Sequence, residues 1–135
     1  MNVIKYRDGY RYQLAEGYAV QTAIFPPRHI ATDFIILATN GMLIINGGYA
    51  WDGPSGPSFD SKNFMRGSLV HDALYQLMRE GKLSERWREM ADRKLQRICI
   101  EDGMWKIRAW WVYRAVRDFG GSSAAVCKQT ILEAP

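Results

Sequence analysis

The chain has 135 residues, of which 47% are hydrophobic and 24% charged, with a formal net charge of +4. That size and balance suit one globular domain able to bury a core without disulfide staples, and they exclude disordered and fibrous classes. The longest apolar runs, such as Phe34 to Ala38, are far too short to span a bilayer.

In chain order the first half reads as β. Tyr10 to Leu14 and Tyr18 to Thr22 are enriched in alternating, β-branched or aromatic residues and are separated by Glu16-Gly17. Pro26-Pro27 then forbids regular structure. Phe34 to Ala38 and Met42 to Ile45 flank Asn40-Gly41, a strong hairpin signal, and Gly47-Gly48 ends the second strand. A Gly/Pro/Ser-rich segment from Asp52 to Ser61 is too long for a simple turn and reads as a functional loop.

The second half reads as α. Between Asn63 and Glu80 the apolar residues Phe64, Leu69, Ala73, Leu74, Leu77 and Met78 form a helical stripe, with Asp60 or Ser61 as cap and Gly81 as stop. Ser84 can cap a second helix running to about Asp102, closed by Gly103. Trp105 to Phe119 forms a third, ended by Gly120-Gly121. Strands first and helices after predict an α+β domain, with antiparallel β hairpins followed by a three-helix half containing an antiparallel helix pair. The expected boundaries are one domain over 1–121 (β-rich 1–50, motif loop 51–62, helical 63–120) and a tail over 122–135.

Cys99 and Cys127 give no disulfide framework. The segment Met-Asn-Val-Ile-Lys-Tyr-Arg lacks the apolar core of a signal peptide, so folding in a cytoplasm is expected. Arginines concentrate between Arg79 and Arg117, beside Trp87, Trp105, Trp110 and Trp111. The expected arrangement is a helical bundle with a solvated basic surface and an aromatic core. A meeting with an anionic membrane surface is the sharper alternative. No nucleic-acid-binding module is recognisable, and nucleic acid is not favoured.

The stretch Gly67-Ser-Leu-Val-His-Asp-Ala-Leu-Tyr75, followed by Ala91-Asp92-Arg93, carries the chemistry. A very short loop joins the first two helices, which makes them antiparallel neighbours. His71 lies about 15 Å before that connection and Asp92 about 12 Å beyond it, at roughly 1.5 Å per residue, so the two side chains sit within one turn of each other in height. Tyr75 shares the face of His71 one turn along. Asp72 is displaced by about 100° and points elsewhere, towards the Gly/Pro loop. An imidazole held by a carboxylate is the requirement for a general base. Asp92 would take the proton on one ring nitrogen, the other nitrogen would accept a proton from water, and Tyr75 would fix Asp92. Asp72 with loop carbonyls offers the hard oxygen ligands that calcium prefers. The plainer alternatives are a structural hydrogen bond between helices for His71 and Asp92, and capping of the loop for Asp72. Ser55, Ser58 and Ser68 sit in no nucleophile-elbow motif.

Tyr49-Ala-Trp-Asp-Gly-Pro-Ser-Gly-Pro57, Ser68-Leu-Val-His-Asp-Ala-Leu-Tyr75, Ala91-Asp92 and Val112-Tyr-Arg-Ala-Val-Arg-Asp-Phe-Gly120 resemble a small phage and prophage family catalogued as a domain of unknown function. That resemblance, over roughly residues 42 to 120, implies a location in a host cytoplasm or a virion, and other phage proteins as partners. His71-Asp72-x-x-Tyr75 and Asp92-Arg93 also resemble the signatures of the phospholipase A2 superfamily. The second resemblance implies a hydrolase in which His71 activates water, Asp92 orients His71 and Tyr75 supports Asp92. It implies calcium held by Asp72 with a loop whose counterpart here contains Asp52, Gly53, Ser55 and Gly56, and a phospholipid surface as partner. No other cofactor is implied. Pro54 and Pro57 stand where that superfamily has a denser glycine run. The competing expectation is a non-catalytic phage virion, assembly or host-interaction protein, with the same cluster as a brace.

Overall fold

The computed structural model describes residue 4, residues 6–7, 12–51 and 62–125. Seven short strands precede the helices: β1 (Tyr6–Arg7), β2 (Tyr12–Leu14), β3 (Tyr18–Gln21), β4 (Ile30–Ala31), β5 (Ile35–Leu37), β6 (Met42–Ile45) and β7 (Ala50–Trp51). They form two antiparallel sheets, β1-β2-β7 and β3-β6-β5-β4. In the larger sheet Ile35 and Tyr18 both pair with Ile45, and Leu37 and Val20 both pair with Leu43. Ile35, Leu37, Leu43 and Ile45 are fully buried, which is the period of two expected of strands with one face on a core.

The β5–β6 hairpin forms around Asn40-Gly41, but its loop has three residues rather than two. Ala38 N–H donates to Met42 O at 3.0 Å, and Gly41 N–H donates to Ala38 O at 2.9 Å. Gly41 has φ of 88°, whereas no described non-glycine residue has positive φ. Asn40 therefore does not enter the left-handed region that a two-residue type I′ turn requires, and the loop is the three-residue kind closed by a left-handed glycine. A Cβ on Gly41 would also lie 2.5 Å from Thr22 O. The two-residue strands β1, β4 and β7 are too short to leave a period-two signal.

The helices are α1 (Lys62–Arg79), α2 (Arg88–Glu101), α3 (Lys106–Phe119) and a single-turn α4 (Gly121–Ala124). The fold is thus α+β, with strands in the N-terminal half and helices in the C-terminal half. The side-chain oxygen of Ser84 accepts from Arg86 N–H and caps a 3₁₀ turn, Glu85–Trp87, that leads into α2. The proposed caps Asp60 and Ser61 lie outside the described residues. Among the described residues no helix is long and apolar enough to cross a membrane.

Two apolar clusters hold these elements. The larger joins both sheets to α1, with Leu14, Ile35, Leu43, Ile45, Trp51, Leu69, Leu74 and Met78 at its centre, and it takes in Ala124 of α4. The smaller, Phe64, Leu95, Cys99, Met104, Ala109 and Val112, lies between α1, α2 and α3. The expected aromatic core of the helical half is not what forms. Trp105, Trp110 and Trp111 are exposed. The face of α3 turned to the bundle is set by the small residues Ala109 and Val112, which permit close helix approach, and this rotates the tryptophans outward.

Candidate functional site: a buried carboxylate between three helices

Antiparallel packing of α1 on α2 brings three of the expected residues together. His71 Nε2 lies 2.6 Å from Asp92 Oδ1, and the Tyr75 hydroxyl donates to the same oxygen at 2.6 Å. The i, i+4 spacing puts the His71 and Tyr75 rings 4.1 Å apart between centroids. Asp92 is completely buried, whereas the His71 side chain keeps 13% of its surface. Among the described residues Nδ1 of His71 has no hydrogen-bond partner, and no fully buried side-chain nitrogen or oxygen lacks one. The unpaired ring nitrogen is therefore the one that meets solvent. With Asp92 ionised, Nε2 carries a proton, and in the neutral imidazole Nδ1 then presents its lone pair.

Two arginines complete the cluster. Arg117, on α3, donates from Nη1 to Asp92 Oδ2 at 2.9 Å. Arg88, at the start of α2, donates from Nε to the Tyr75 hydroxyl at 3.0 Å and from Nη2 to the carbonyls of Val116 and Arg117 at 2.7 and 2.8 Å. Those carbonyls belong to the last turn of α3, where a cation is favoured; the Val116 carbonyl also accepts from Gly120 N–H at 2.9 Å. Burial pushes the Asp92 carboxyl towards the neutral form, but hydrogen bonds from His71, Tyr75 and Arg117 outweigh it and hold the group below the usual carboxylate range. Burial, together with the bond to Asp92, raises the Tyr75 hydroxyl above its ordinary value, so it remains a donor.

Residue pattern alone did not single out either arginine. A carboxylate removed from solvent favours a countercharge, and Arg117 supplies it from α3.

Asp72 faces a different element. Its Oδ2 accepts from the Tyr49 hydroxyl at 2.5 Å, and Tyr49 also lies 3.1 Å from Gln76 Oε1. Burial and the adjacent Asp72 carboxylate raise Tyr49 far above the ordinary phenol range. Asp72 thus ties α1 to the segment leading into β7, next to the start of the Gly/Pro loop. Asp52, Gly53, Ser55 and Gly56 lie outside the described residues. Asp72 is the single described member of that oxygen set, and one of its oxygens is engaged by Tyr49. Among the described residues no group of three or more His, Cys, Asp or Glu side chains is placed to hold a metal.

A second polar cluster lies at the far end of the same helix pair. Arg66 is buried on α1 and donates from Nε and Nη2 to Asp102, from Nη2 to Glu101 at 2.9 Å, and from Nη1 to the Tyr18 hydroxyl at 2.7 Å. Burial opposes its charge, but these partners win and push the guanidinium further towards the protonated form. One turn and one loop along, Trp51 Nε1 donates to Ser68 Oγ at 3.1 Å, which commits Ser68 to the interior. Cys99 is buried, and desolvation raises its thiol to about 12, so it is unreactive.

Sequence comparison adds no identity to this geometry: no family model matches the chain, and neither the curated proteins nor the solved structures contain a significant match to it.

Proposed function

We propose that the chain is a small hydrolase acting on an ester, with lipid as the substrate class and His71 as general base. One observation carries the reading: the imidazole is anchored through Nε2 to a buried, ionised Asp92, while its other nitrogen meets solvent. In that arrangement Nδ1 takes a proton from water, the resulting hydroxide oxygen bonds to the ester carbonyl carbon, and the imidazolium returns the proton to the departing alkoxide. Asp92 stabilises the imidazolium and fixes its tautomer. Tyr75 and Arg117 act through Asp92 and are positioning residues. Asp72 with Asp52, Gly53, Ser55 and Gly56 would hold calcium, which when bound supplies positive charge for the carbonyl oxygen.

The test is release of fatty acid from phospholipid vesicles, with calcium and with a chelator. His71→Gln is expected to lower the rate by about a hundredfold or more, the scale of a lost general base. Full activity in that variant would sink the reading.

A second reading has its own support in the four donor groups that surround Asp92 and Tyr75 and tie α1, α2 and α3 together. Here the cluster is a brace in a non-catalytic phage virion, assembly or host-interaction protein. His71→Gln then lowers the melting temperature, and the unaltered chain has no hydrolytic activity to lose.

A further inference from the structure

The N-terminal half of α3 turns its apolar side chains away from the protein. Trp105 is 80% exposed, Ile107 67%, Trp110 47% and Trp111 62%. Helical spacing explains the segregation. Ala109, Val112 and Val116 form the stripe that packs on α2, so Ile107, Trp110, Trp111 and Arg114 fall on the opposite side. Trp110 and Trp111 contact each other edge to face, with centroids 5.1 Å apart and planes at 76°. Scattered exposed apolar residues need no account, but four large ones within seven positions do.

Charge selects among the partners that could cover this face. From Gly103 to Phe119 the sequence contains Lys106, Arg108, Arg114 and Arg117 against one carboxylate, Asp118. Asp118 pairs with Arg114 at 3.0 Å and Arg117 pairs with Asp92, so the helix keeps a cationic excess. A second copy related by a two-fold axis would bring the same cationic excess, Lys106 among it, close to that of its partner, like charge on like charge. An anionic bilayer supplies the complementary sign. Its headgroup region is also where tryptophan is most at home, because the indole has an apolar body and a polar N–H. Trp110 shares a side of α3 with Arg117 two turns further on, about 10 Å at 1.5 Å per residue. The exposed face therefore leads along one helix to the residue that binds Asp92.

We propose that the exposed Trp105, Ile107, Trp110 and Trp111 face of α3, with its flanking cations, seats the protein on an anionic phospholipid surface. The helix would lie in the interface plane with the tryptophans inserted at headgroup depth. Lipid as the partner rests on the ester-hydrolase reading above, yet the two can fail separately, because Trp105, Ile107, Trp110, Trp111 and Lys106 make no hydrogen bond or ion pair with His71 or Asp92.

Phosphatidylglycerol vesicles titrated into the full chain are expected to shift tryptophan emission to shorter wavelength and to carry the protein down on sedimentation. Added salt should weaken that binding, and phosphatidylcholine vesicles should bind about tenfold more weakly or worse. The double variant Trp110→Ser with Trp111→Ser is expected to lose about tenfold or more in partitioning without a lower melting temperature, since both side chains are exposed. Lys106→Glu should weaken binding to phosphatidylglycerol alone. His71→Gln should bind vesicles like the unaltered chain, so hydrolysis can be absent while docking stands. Equal binding by the double variant, or equal binding to both lipids, would overturn the assignment. A lipid-free dimer that dissolves in the double variant would also overturn it, by giving the face to a second copy.

Discussion

Replacing Asp92 by asparagine tests the charge at the centre of the helical half. The carboxylate presents Oδ1 to two donors, His71 and Tyr75, and Oδ2 to a third, Arg117. An amide offers one acceptor oxygen and one NH2 group, which only donates. If its oxygen faces His71 and Tyr75, its NH2 meets the guanidinium of Arg117; the flipped rotamer loses the other two bonds. A lost bond to a charged group is worth about 1.5–3 kcal/mol, and a buried group left without a partner costs about 1–3 kcal/mol more. Arg117 keeps 26% of its side-chain surface and can turn partly to water, which recovers some of that sum. A net loss of about 3 kcal/mol follows. With an unfolding entropy of about 2.1 cal/mol/K per residue, 135 residues give about 0.28 kcal/mol/K. The melting temperature should then fall by about 10 °C near neutral pH.

Acid supplies the sign. The folded-state Asp92 carboxyl is held below the usual range, so its contribution is complete above the unfolded aspartate value of about 3.9 and is lost as pH falls through the lower folded value. Calorimetry of both proteins should therefore show their difference narrowing below about pH 4, where aspartic acid and asparagine become alike. A neutral-pH difference under about 1 kcal/mol, or a difference that widens in acid, would refute an ionised, hydrogen-bonded Asp92.

Two further substitutions examine the helix packing. Gly67→Ala on α1 would place a Cβ 2.9 Å from Leu95 Cδ1 and 3.1 Å from Cys99 Sγ. Overpacking of about 1–3 kcal/mol should exceed the helix-propensity gain of about 1 kcal/mol, and a more stable variant in urea titration would contradict that close approach. Arg66→Met should cost about 2–3 kcal/mol, because the Tyr18 hydroxyl loses its donor while Asp102 and Glu101 partly regain water. Unchanged denaturant stability would mean that the Arg66 cluster does not hold α1 to the end of α2.

What could be read from the sequence follows the range of the interactions involved. Strands with a repeating burial pattern, such as Met42 to Ile45, and helices with glycine stops were legible because periodicity and caps are local. The meeting of His71, Asp92 and Tyr75 was legible because one short connection fixes the relative height of two antiparallel helices. Arg117, the grip of Arg88 on the α3 carbonyls and the Tyr49–Asp72 contact were not, since they depend on how α3 and the segment before β7 dock, which no short connection fixes. The outward turn of Trp105, Trp110 and Trp111 ran against the burial expected of large aromatics. Ala109 and Val112 decide it, because only they and the half-buried Val116 continue the stripe of the smaller core.

The attachment of α3 has a consequence for local opening. Only Ala109 and Val112 are buried along its length, while Arg88 grips its last carbonyls and Arg117 binds Asp92. Detaching this helix would uncover the smaller apolar cluster but leave the larger one closed, so such an excursion exposes less surface than global unfolding and depends less on denaturant. It does require the Asp92 charge to lose its guanidinium. Native-state opening of α3 is thus expected to grow easier in acid, as protonation of Asp92 on another helix removes the charge that holds Arg117.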